Sequence, residues 1–178
     1  KIAERSKDIL EFGVGASTQV LRHYSTGTMR SVETMPEWVD RTKVNFERVG
    51  VEGEVEFVSY NSDYSGRYDF IFVDGYKRLR KEFALRVWRY LRYGGRMAFH
   101  DTRREFHIEY VGEIIKQYFN QIELVEANKD GSNITVITKQ KSVQYVNWNE
   151  AEQRPQWQYG RGEWNQEEFE IYKEKQKE

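Results

Sequence analysis

DILEFGVGAST, residues Asp8 to Thr18, is the stretch from which the fold can be predicted. A short apolar run contains one acid, Glu11, and Gly13 and Gly15 follow it at the spacing Glu-x-Gly-x-Gly. Glycines at the end of a strand let the backbone turn tightly and approach a ligand, and the first N–H groups of a following helix can bind it. The stretch therefore indicates either an ordinary tight turn or a strand whose tip holds a nucleotide-like cofactor.

The composition limits the classes of protein that this chain can represent. Its 178 residues are most simply one domain with its own core. A net charge of -1, from 28 basic and 29 acidic residues, gives no electrostatic basis for binding nucleic acid or an anionic membrane surface. There is no cysteine, which excludes disulfides and thiolate zinc sites, and no apolar run approaches the roughly 20 residues of a membrane span. We therefore expect a cytoplasmic protein without nucleic-acid or membrane partners. The basic cluster KRLRK, Lys77 to Lys81, is interpreted as a solvated helix face.

Apolar runs alternate with amphipathic stretches through most of the chain, which is typical of a parallel sheet covered by helices. The predicted strands are Ile9–Phe12, Met29–Glu33, Val55–Ser59, Tyr68–Asp74 and Arg96–Asp101. The fourth of them contains a continuous apolar run, as expected for a central strand that is covered on both faces.

Helical periodicity lies between the predicted strands. In TMPEW, Thr34 can cap a helix, Pro36 occupies its first turn and Glu37 completes a capping box. A later helix is predicted from an apolar face that a glycine pair closes; these residues are Phe83, Val87, Leu91, Gly94 and Gly95. The helix after the fifth strand is predicted from the stripe Ile108, Val111, Ile115 and Tyr118.

After this helix the alternation changes. QIELVEA and NITVITK are strand-like runs separated only by NKDGS, whose Asp-Gly pair is typical of a β-hairpin turn. The sequence therefore predicts an α/β fold: a Rossmann-like doubly wound, mostly parallel sheet of about seven strands that ends in an antiparallel β-hairpin. Residues 1–141 form this predicted domain. Residues 142–178 form an aromatic, charged tail that packs on the domain or is partly flexible, unless it serves as a flap or a partner surface.

Polar residues follow the successive predicted strands. They are Glu11, Glu33, the loop Asn61-Ser62-Asp63, Asp74 and Asp101. Open parallel sheets bind ligands at the carboxyl ends of their strands, where the strand order reverses, so we expect these groups at a ligand site. Turn chemistry explains one such group, but five in succession favour a ligand-binding edge.

The first turn also limits the kind of ligand. A dinucleotide site would want a third glycine where this chain has Thr18, and the Gly-Lys-Ser/Thr of a P-loop is absent. The turn therefore fits a ligand without a pyrophosphate better than NAD or ATP. Glu33, about 20 residues past the turn, is placed to accept hydrogen bonds from a ribose diol.

Four segments together resemble a known family. ILEFGVGAST, SVETMPEW, YDFIFVDGYKR and GGRMAFHDT are similar, in this order, to motifs of the class I S-adenosylmethionine (SAM)-dependent methyltransferases. More narrowly, they resemble small-molecule and sugar O-methyltransferases that carry FGxGxST, VDG and HDT. The resemblance runs from about Asp8 to Lys139, and the tail beyond Ser142 has no counterpart in it.

The resemblance implies a SAM site along the carboxyl edge of the sheet. The residues around the methionine part would be Glu11, Gly13, Gly15 and Ser17. Glu33 would hold the ribose, and Met35 would lie against the adenine. The adenine would be edged by Asn61, Ser62 and Asp63, and Asp74 would lie below the methyl donor. Taken singly, Glu11 can also be a turn acceptor and Glu33 a helix-start acid.

Methyl transfer to a hydroxyl also requires that the acceptor lose its proton, to a general base or with the help of a divalent cation. Catechol O-methyltransferase-like enzymes carry a metal-binding acid after the fourth strand, a lysine three residues later and a polar pair after the fifth strand. The matching residues here are Asp74, Lys77 and the pair His100-Asp101. The pair departs from the acidic or Asp-Asn pair of those enzymes, and a His ligand suits a softer metal than Mg²⁺.

Other roles stay open for the same residues. His100 can itself be the general base, since its reference pKa lies near neutrality. Alternatively, Asp101 caps the next helix and His100 is a satisfied strand-end residue. Lys77 can be a surface lysine.

The resemblance implies a SAM-dependent methyltransferase that modifies a sugar or another small hydroxylated acceptor on oxygen, with a divalent metal as an optional second cofactor. Nitrogen acceptors stay open as an alternative. A different class of protein also stays open. It is a non-catalytic domain that binds an adenosine ligand, or a module whose Trp-rich tail recruits a protein or glycan partner.

Overall fold

The computed structural model describes residues 2–103, 105–128 and 133–141, with the backbone alone for residues 105–108. The chain divides into two compact units, residues 1–92 and 93–178. The predicted tail, residues 142–178, lies outside the described residues. No helix in the described part has the length and apolar character needed to cross a membrane.

The first unit contains four parallel strands. They are β1 (Ile9–Phe12), β2 (Met29–Glu33), β3 (Glu56–Ser59) and β4 (Tyr68–Val73). β2 and β4 pair with opposite sides of β1, and β3 pairs with β2, so the order is β3-β2-β1-β4. The chain moves outward from β1 to β3 and then returns to the other side of β1. The junction of β1 and β4 is therefore the point where the strand order reverses.

The burial of β1 and β4 follows from their apolar sequences. All four residues of β1 are buried, and β4 buries five of its six. Strands that are buried on both faces read as continuous apolar runs, as the sequence predicts for β4. Glu11 is the exception to the apolar sequence of β1, because its carboxyl group is buried with 0% of the residue exposed.

Three helices and three short turns complete the first unit. The helices are α1 (Ala16–Tyr24), α2 (Pro36–Val49) and α3 (Arg80–Val87). Single 3₁₀ turns lie at Ala3–Arg5, Lys77–Leu79 and Trp88–Tyr90. α3 buries Phe83, Ala84 and Val87 in the core, which fixes its polar residues relative to the ends of the strands.

The predicted capping box at the start of α2 is wrong. Met35 is the residue before the helix, and its side chain makes no capping hydrogen bond. The Thr34 hydroxyl instead donates to Glu33 Oε1 at 3.0 Å. The N–H groups of Thr34 and Met35 donate to the same oxygen at 2.6 and 3.0 Å. The acid at the end of β2 therefore satisfies donors that precede the helix.

The helix predicted through Leu91 ends earlier than its apolar face indicates. α3 stops at Val87, and Leu91 already has extended backbone angles and is 1% exposed. The glycine pair lies inside the next strand, where Gly94 has φ +78°. A leucine four residues after Val87 can be buried from a helix or from a strand, so periodicity alone could not place the boundary.

The second unit contains the rest of the sheet. Its elements are β5 (Leu91–His100), which starts at the boundary of the units, α4 (Glu105–Tyr118), β6 (Ile122–Ala127) and β7 (Ile134–Lys139). A 3₁₀ turn at Phe119–Gln121 leads into β6. β7 pairs antiparallel with both β5 and β6, which confirms the predicted hairpin.

Within the described part of the chain, the strands follow the order β3-β2-β1-β4-β5-β7-β6 in one seven-stranded sheet. Parallel strands dominate one side and the antiparallel hairpin ends the other. The predicted fold class, a Rossmann-like α/β sheet with a terminal hairpin, is confirmed.

Candidate functional site

The turn after β1 packs directly against the residues that follow β4. Gly13 has φ +96°, and a Cβ placed on it would lie 2.5 Å from the backbone nitrogen of Gly75. A Cβ on Gly75 would lie 2.6 Å from the ring of Phe12. The Asp74 N–H donates to the carbonyl oxygen of Phe12 at 2.7 Å. Two glycines are therefore needed where the tips of β1 and β4 meet.

The second glycine of the turn has a different environment. A Cβ placed on Gly15 would find no heavy atom within 4 Å. Its φ of 169° is an extended conformation that any residue adopts. Its N–H donates to Thr18 Oγ1 at 2.9 Å, which ties the turn to the first turn of α1. The structure thus requires Gly13 for packing and leaves open space at Gly15, where a ligand can approach the backbone.

Glu11 joins three elements beneath this turn. Its Oε1 accepts a hydrogen bond from Ser17 Oγ at 2.7 Å, and its Oε2 accepts one from Ser31 Oγ at 2.8 Å. Burial raises the pKa of Glu11 from its ordinary 4.5 to about 7; hydrogen bonds from Ser17, Thr18 and Ser31 oppose this rise, and the charge of Asp74 adds to it. Sequence reasoning found Glu11 and Ser17 but missed Ser31, whose only signal is a small hydroxyl residue in the middle of strand β2.

Glu33 closes the other side of the turn. Its Oε2 accepts a hydrogen bond from the N–H of Val14, between the two glycines of the turn, at 3.0 Å. Its Oε1 takes the three donors of Thr34 and Met35 described above. Oε2 accepts only this one hydrogen bond among the described residues, and a carboxylate oxygen has two lone pairs, so Oε2 can accept a second hydrogen bond. Met35 is 50% exposed beside it.

The loop after β3 contains the predicted adenine-edge residues. Asn61 and Asp63 are exposed, and Ser62 is half-buried. Asp63 accepts hydrogen bonds from the Ser65 N–H at 2.8 Å and from Ser65 Oγ at 3.1 Å. The backbone N–H of Ser65 is the main cause that lowers the pKa of Asp63. The loop is therefore ordered by its own hydrogen bonds and presents two polar side chains to the exterior.

Asp74 pairs with Arg80, a residue that the sequence predicts on a solvated helix face. Arg80 Nη2 lies 3.0 Å from Asp74 Oδ1 and also donates to the carbonyl oxygen of Asp74 at 3.0 Å. Arg80 Nε donates to the carbonyl oxygen of Gly75 at 2.7 Å. Arg80 is 6% exposed, so the solvated-face interpretation is wrong for this member of KRLRK. It holds for Lys77, Arg78 and Lys81, which are exposed.

In the second unit, the backbone has a positive φ angle just after β5. Asp101 has φ +64°, which non-glycine residues adopt rarely and which clusters at functional sites. Its Oδ1 accepts a hydrogen bond from Asn133 Nδ2 at 3.0 Å and lies 3.7 Å from His100 Nδ1. The His100 side chain is 39% exposed.

The residue after Asp101 anchors this segment to the hairpin. Thr102 is fully buried; its hydroxyl donates to Asn128 Oδ1 at 3.0 Å and accepts from Thr135 Oγ1 at 2.9 Å. The backbone N–H of Arg103 donates to Asn133 Oδ1 at 2.7 Å. Sequence reasoning missed these hairpin partners, because an Asp-Gly turn signal says nothing about what its flanking residues contact.

The structure brings most of the predicted cofactor residues together in the first unit. Glu11 bonds Ser17, Glu33 bonds the turn between Gly13 and Gly15, and Asp74 follows the strand against which that turn packs. This arrangement can hold a ligand at the carboxyl edge where the strand order reverses. It defines the class of protein: a Rossmann-like α/β fold whose sheet ends in an antiparallel hairpin.

Comparison with solved structures makes the fold class more specific. The chain is similar to an O-methyltransferase from Bacillus cereus in complex with S-adenosylhomocysteine (SAH), with 19% identity, a TM-score of 0.60 and coverage of 76% of each chain. It is also similar to SAH-bound methyltransferase PaMTH1 from Podospora anserina, with 15% identity, a TM-score of 0.61 and coverage of 77% and 73%. A third match is O-methyltransferase TomG from Streptomyces achromogenes in complex with SAM, at 14% identity, a TM-score of 0.59 and coverage of 77% and 74%.

No protein-family model and no curated protein matches the sequence. The solved structures establish the fold, which is that of the class I SAM-dependent methyltransferases.

Proposed function

We propose that this protein is a SAM-dependent methyltransferase that modifies an oxygen of a sugar or another small hydroxylated acceptor. The observation that carries the proposal is the turn after β1. It has open space at Gly15 and lies beside a Glu33 carboxylate oxygen that has a remaining acceptor position. A nucleoside needs such a pair of features, a backbone that a ligand can approach and an acid for the ribose diol.

The cofactor residues proposed for this chain are those that the resemblance to the methyltransferases implies. Glu33 Oε2 would accept a hydrogen bond from a ribose hydroxyl and keep the one from the Val14 N–H. Gly13 and Gly15 would let the backbone approach the methionine part, and Glu11 and Ser17 would hold the shape of that turn. Met35 and the residues Asn61, Ser62 and Asp63 would hold the base, and Asp74 would hold the part that carries the methyl group. The absence of a third glycine at Thr18, which is fully buried, supports a cofactor without a pyrophosphate.

The sulfonium of SAM supplies an activated methyl group when it is bound. The protein must then align the acceptor oxygen and remove its proton. His100, at the end of β5 and 39% exposed, is the proposed general base. Lys77 is exposed and follows Asp74 by three residues, where it can contact the acceptor.

A divalent cation is the second way to lower the proton affinity of the acceptor. Asp74, His100 and Asp101 are the proposed ligands, and their mixed oxygen and nitrogen donors suit a softer metal than Mg²⁺.

The first experiment titrates the purified chain calorimetrically with SAM, with SAH and with NAD as the control ligand. We expect micromolar binding of SAM and SAH and none of NAD. Glu33→Ala should weaken SAH binding at least tenfold, because a hydrogen bond to a charged group contributes about 1.5–3 kcal/mol. No binding of SAH by the folded protein would overturn the proposed function.

The acceptor is then sought by measuring SAH release from SAM in the presence of sugars and phenols, with Mn²⁺, Mg²⁺ or a chelator. Loss of turnover in His100→Ala and Asp101→Ala, with SAH affinity retained, supports the proposed chemistry. Full turnover by both variants would contradict it. Tight SAH binding without turnover of any acceptor would favour a non-catalytic adenosine-ligand domain.

A further inference from the structure

The loop after β3 is anchored to α3 at both of its ends. Tyr60 and Tyr64 are 9% and 1% exposed. Their ring centroids lie 6.4 and 5.5 Å from that of Phe83 in α3. Phe83 also stacks on Phe12, at the tip of β1, at 4.5 Å. The three residues between the tyrosines, Asn61 to Asp63, are thus held over an aromatic cluster that reaches the glycine turn.

One guanidinium group covers this loop. Arg86 lies three residues after Phe83, and therefore on the same face of α3. Its Cζ is 4.3 Å from the ring centroid of Tyr64 and 5.5 Å from that of Tyr60. Its Nη2 donates to the carbonyl oxygens of Tyr60 and Ser62, each at 3.3 Å. Arg86 therefore contacts both ends and the backbone of the loop.

The contacts of Arg86 are specific to this loop. Among the described residues, all of its hydrogen bonds and ring contacts go to Tyr60, Ser62 and Tyr64. Arg89, further along the chain, provides a contrast, because it is exposed and its Cζ lies 5.1 Å from the ring of Tyr90. An arginine that only solubilised this face would not need two carbonyl acceptors and two aromatic rings.

We propose that Arg86 is a positioning residue for the base of the cofactor, and that it sets the selectivity of the site for adenine. This inference rests on the proposed function. If Glu33 at the end of β2 holds the ribose, the base extends toward the next strand outward, which is β3. Asn61 to Asp63 then line the base, and the position of their backbone relative to it depends on the Arg86 contacts.

The test measures Kd values of SAH and of S-inosylhomocysteine, in which a carbonyl replaces the amino group of adenine. The proteins are the wild type, Arg86→Gln, Arg86→Lys and the control Arg89→Gln. Thermal unfolding is recorded for each variant to check that it folds. If Arg86→Gln does not fold, Arg86→Lys takes its place, because it keeps a positive charge over the two tyrosine rings. All are compared by calorimetry at one pH and salt concentration.

We expect the wild type and Arg89→Gln to prefer SAH over the inosine analogue. Arg86→Gln should weaken SAH binding about tenfold, from the loss of two cation–π contacts and two hydrogen bonds, and should bring the Kd values of SAH and S-inosylhomocysteine close together. For Arg86→Lys, the Kd of SAH and the preference for SAH over the inosine analogue should lie between the values of the wild type and of Arg86→Gln. The reason is that an ammonium cannot reproduce the planar contacts of a guanidinium.

A role in stability alone would weaken both ligands equally, so an unchanged ratio of the two Kd values in the Arg86 variants would overturn the inference. A wild type that binds both ligands equally would also overturn it, while the proposed function would stand. A wild type that binds neither would overturn the proposed function together with the inference.

Discussion

Glu11 shows how one buried side chain can connect the pH of the solution to stability. Its carboxylate is 0% exposed and is held by hydroxyl donors from α1 and β2. Hydroxyl groups can also accept a hydrogen bond from a protonated carboxyl, so the site tolerates both charge states. Its pKa of about 7 means that the folded protein binds this proton more tightly than the unfolded chain does.

Because the pKa of Glu11 is raised in the folded protein, we expect the free energy of unfolding to fall as the pH rises. A group whose pKa is raised by folding stabilises the protein below its unfolded value of 4.5, and this contribution is lost as the pH rises to about 7. The loss amounts to about 3 kcal/mol, at 1.4 kcal/mol for each pH unit. Urea unfolding of the wild type and of Glu11→Gln between pH 5 and pH 8 measures it. The glutamine variant should lack this slope, and an equal slope in both proteins would refute the assignment.

Arg80 is the second residue whose role depends on its burial. Arg80→Met should lower the free energy of unfolding by about 2 kcal/mol, because it leaves the Asp74 carboxylate and two backbone carbonyl oxygens without this donor. The cost stays below that of a fully buried pair because the Asp74 side chain is 27% exposed. Arg78→Met is the matched control, and its exposed side chain predicts a change within about 0.5 kcal/mol. Equal effects in the two variants would contradict this role of Arg80.

At the scale of elements, the two glycines of the turn after β1 have different roles: Gly13 is required for packing, and Gly15 leaves space for the ligand. Gly13→Ala should cost about 3 kcal/mol or more, because its Cβ would meet the backbone of Gly75 at a φ of +96°. Gly15→Ala should change stability by less than about 1 kcal/mol, since its Cβ meets no atom and its φ is extended. It should nevertheless weaken SAH binding, because the methyl group occupies the open space.

Thermal unfolding and SAH calorimetry on both glycine variants check these expectations. If Gly15→Ala binds SAH as tightly as the wild type does, the cofactor does not approach the backbone there. If Gly13→Ala is as stable as the wild type, the close packing of the tips of β1 and β4 is not required.

Elements also show where local pattern is sufficient and where it fails. The hairpin β6–β7 was predicted from two strand-like runs and an Asp-Gly pair, because turn chemistry is local. The end of α3 was predicted too late, because a buried Leu91 satisfies a helical stripe and a strand equally well. The cap of α2 was assigned to Thr34, whereas the neighbouring Glu33 takes the donors, since a carboxylate competes better for N–H groups than a hydroxyl does.

At the scale of the whole molecule, the sheet order explains why residues from four strand ends can serve one ligand. β1 to β4 are parallel, so the loops after all four strands share one edge, and the strand order reverses between β1 and β4. The sequence supports this arrangement through the order of its motifs, and the chain is similar in fold to solved methyltransferase structures. The acceptor side of the site is predicted less fully, because no local pattern encodes the shape of a pocket.

The sequence alone determined the alternation of strands and helices, the terminal hairpin and the glycine turn with its acids. These features depend on periodicity, on the conformational freedom of glycine and on residues a few positions apart. Only the tertiary structure decided that Arg80 is buried against Asp74, that Ser31 holds Glu11 and that Arg86 covers the loop after β3. Ser31 and Glu11 are 20 residues apart, and Arg86 and Tyr60 are 26 apart. Such partners meet only after the strands have paired, because folding in space, and not local chemistry, brings them together.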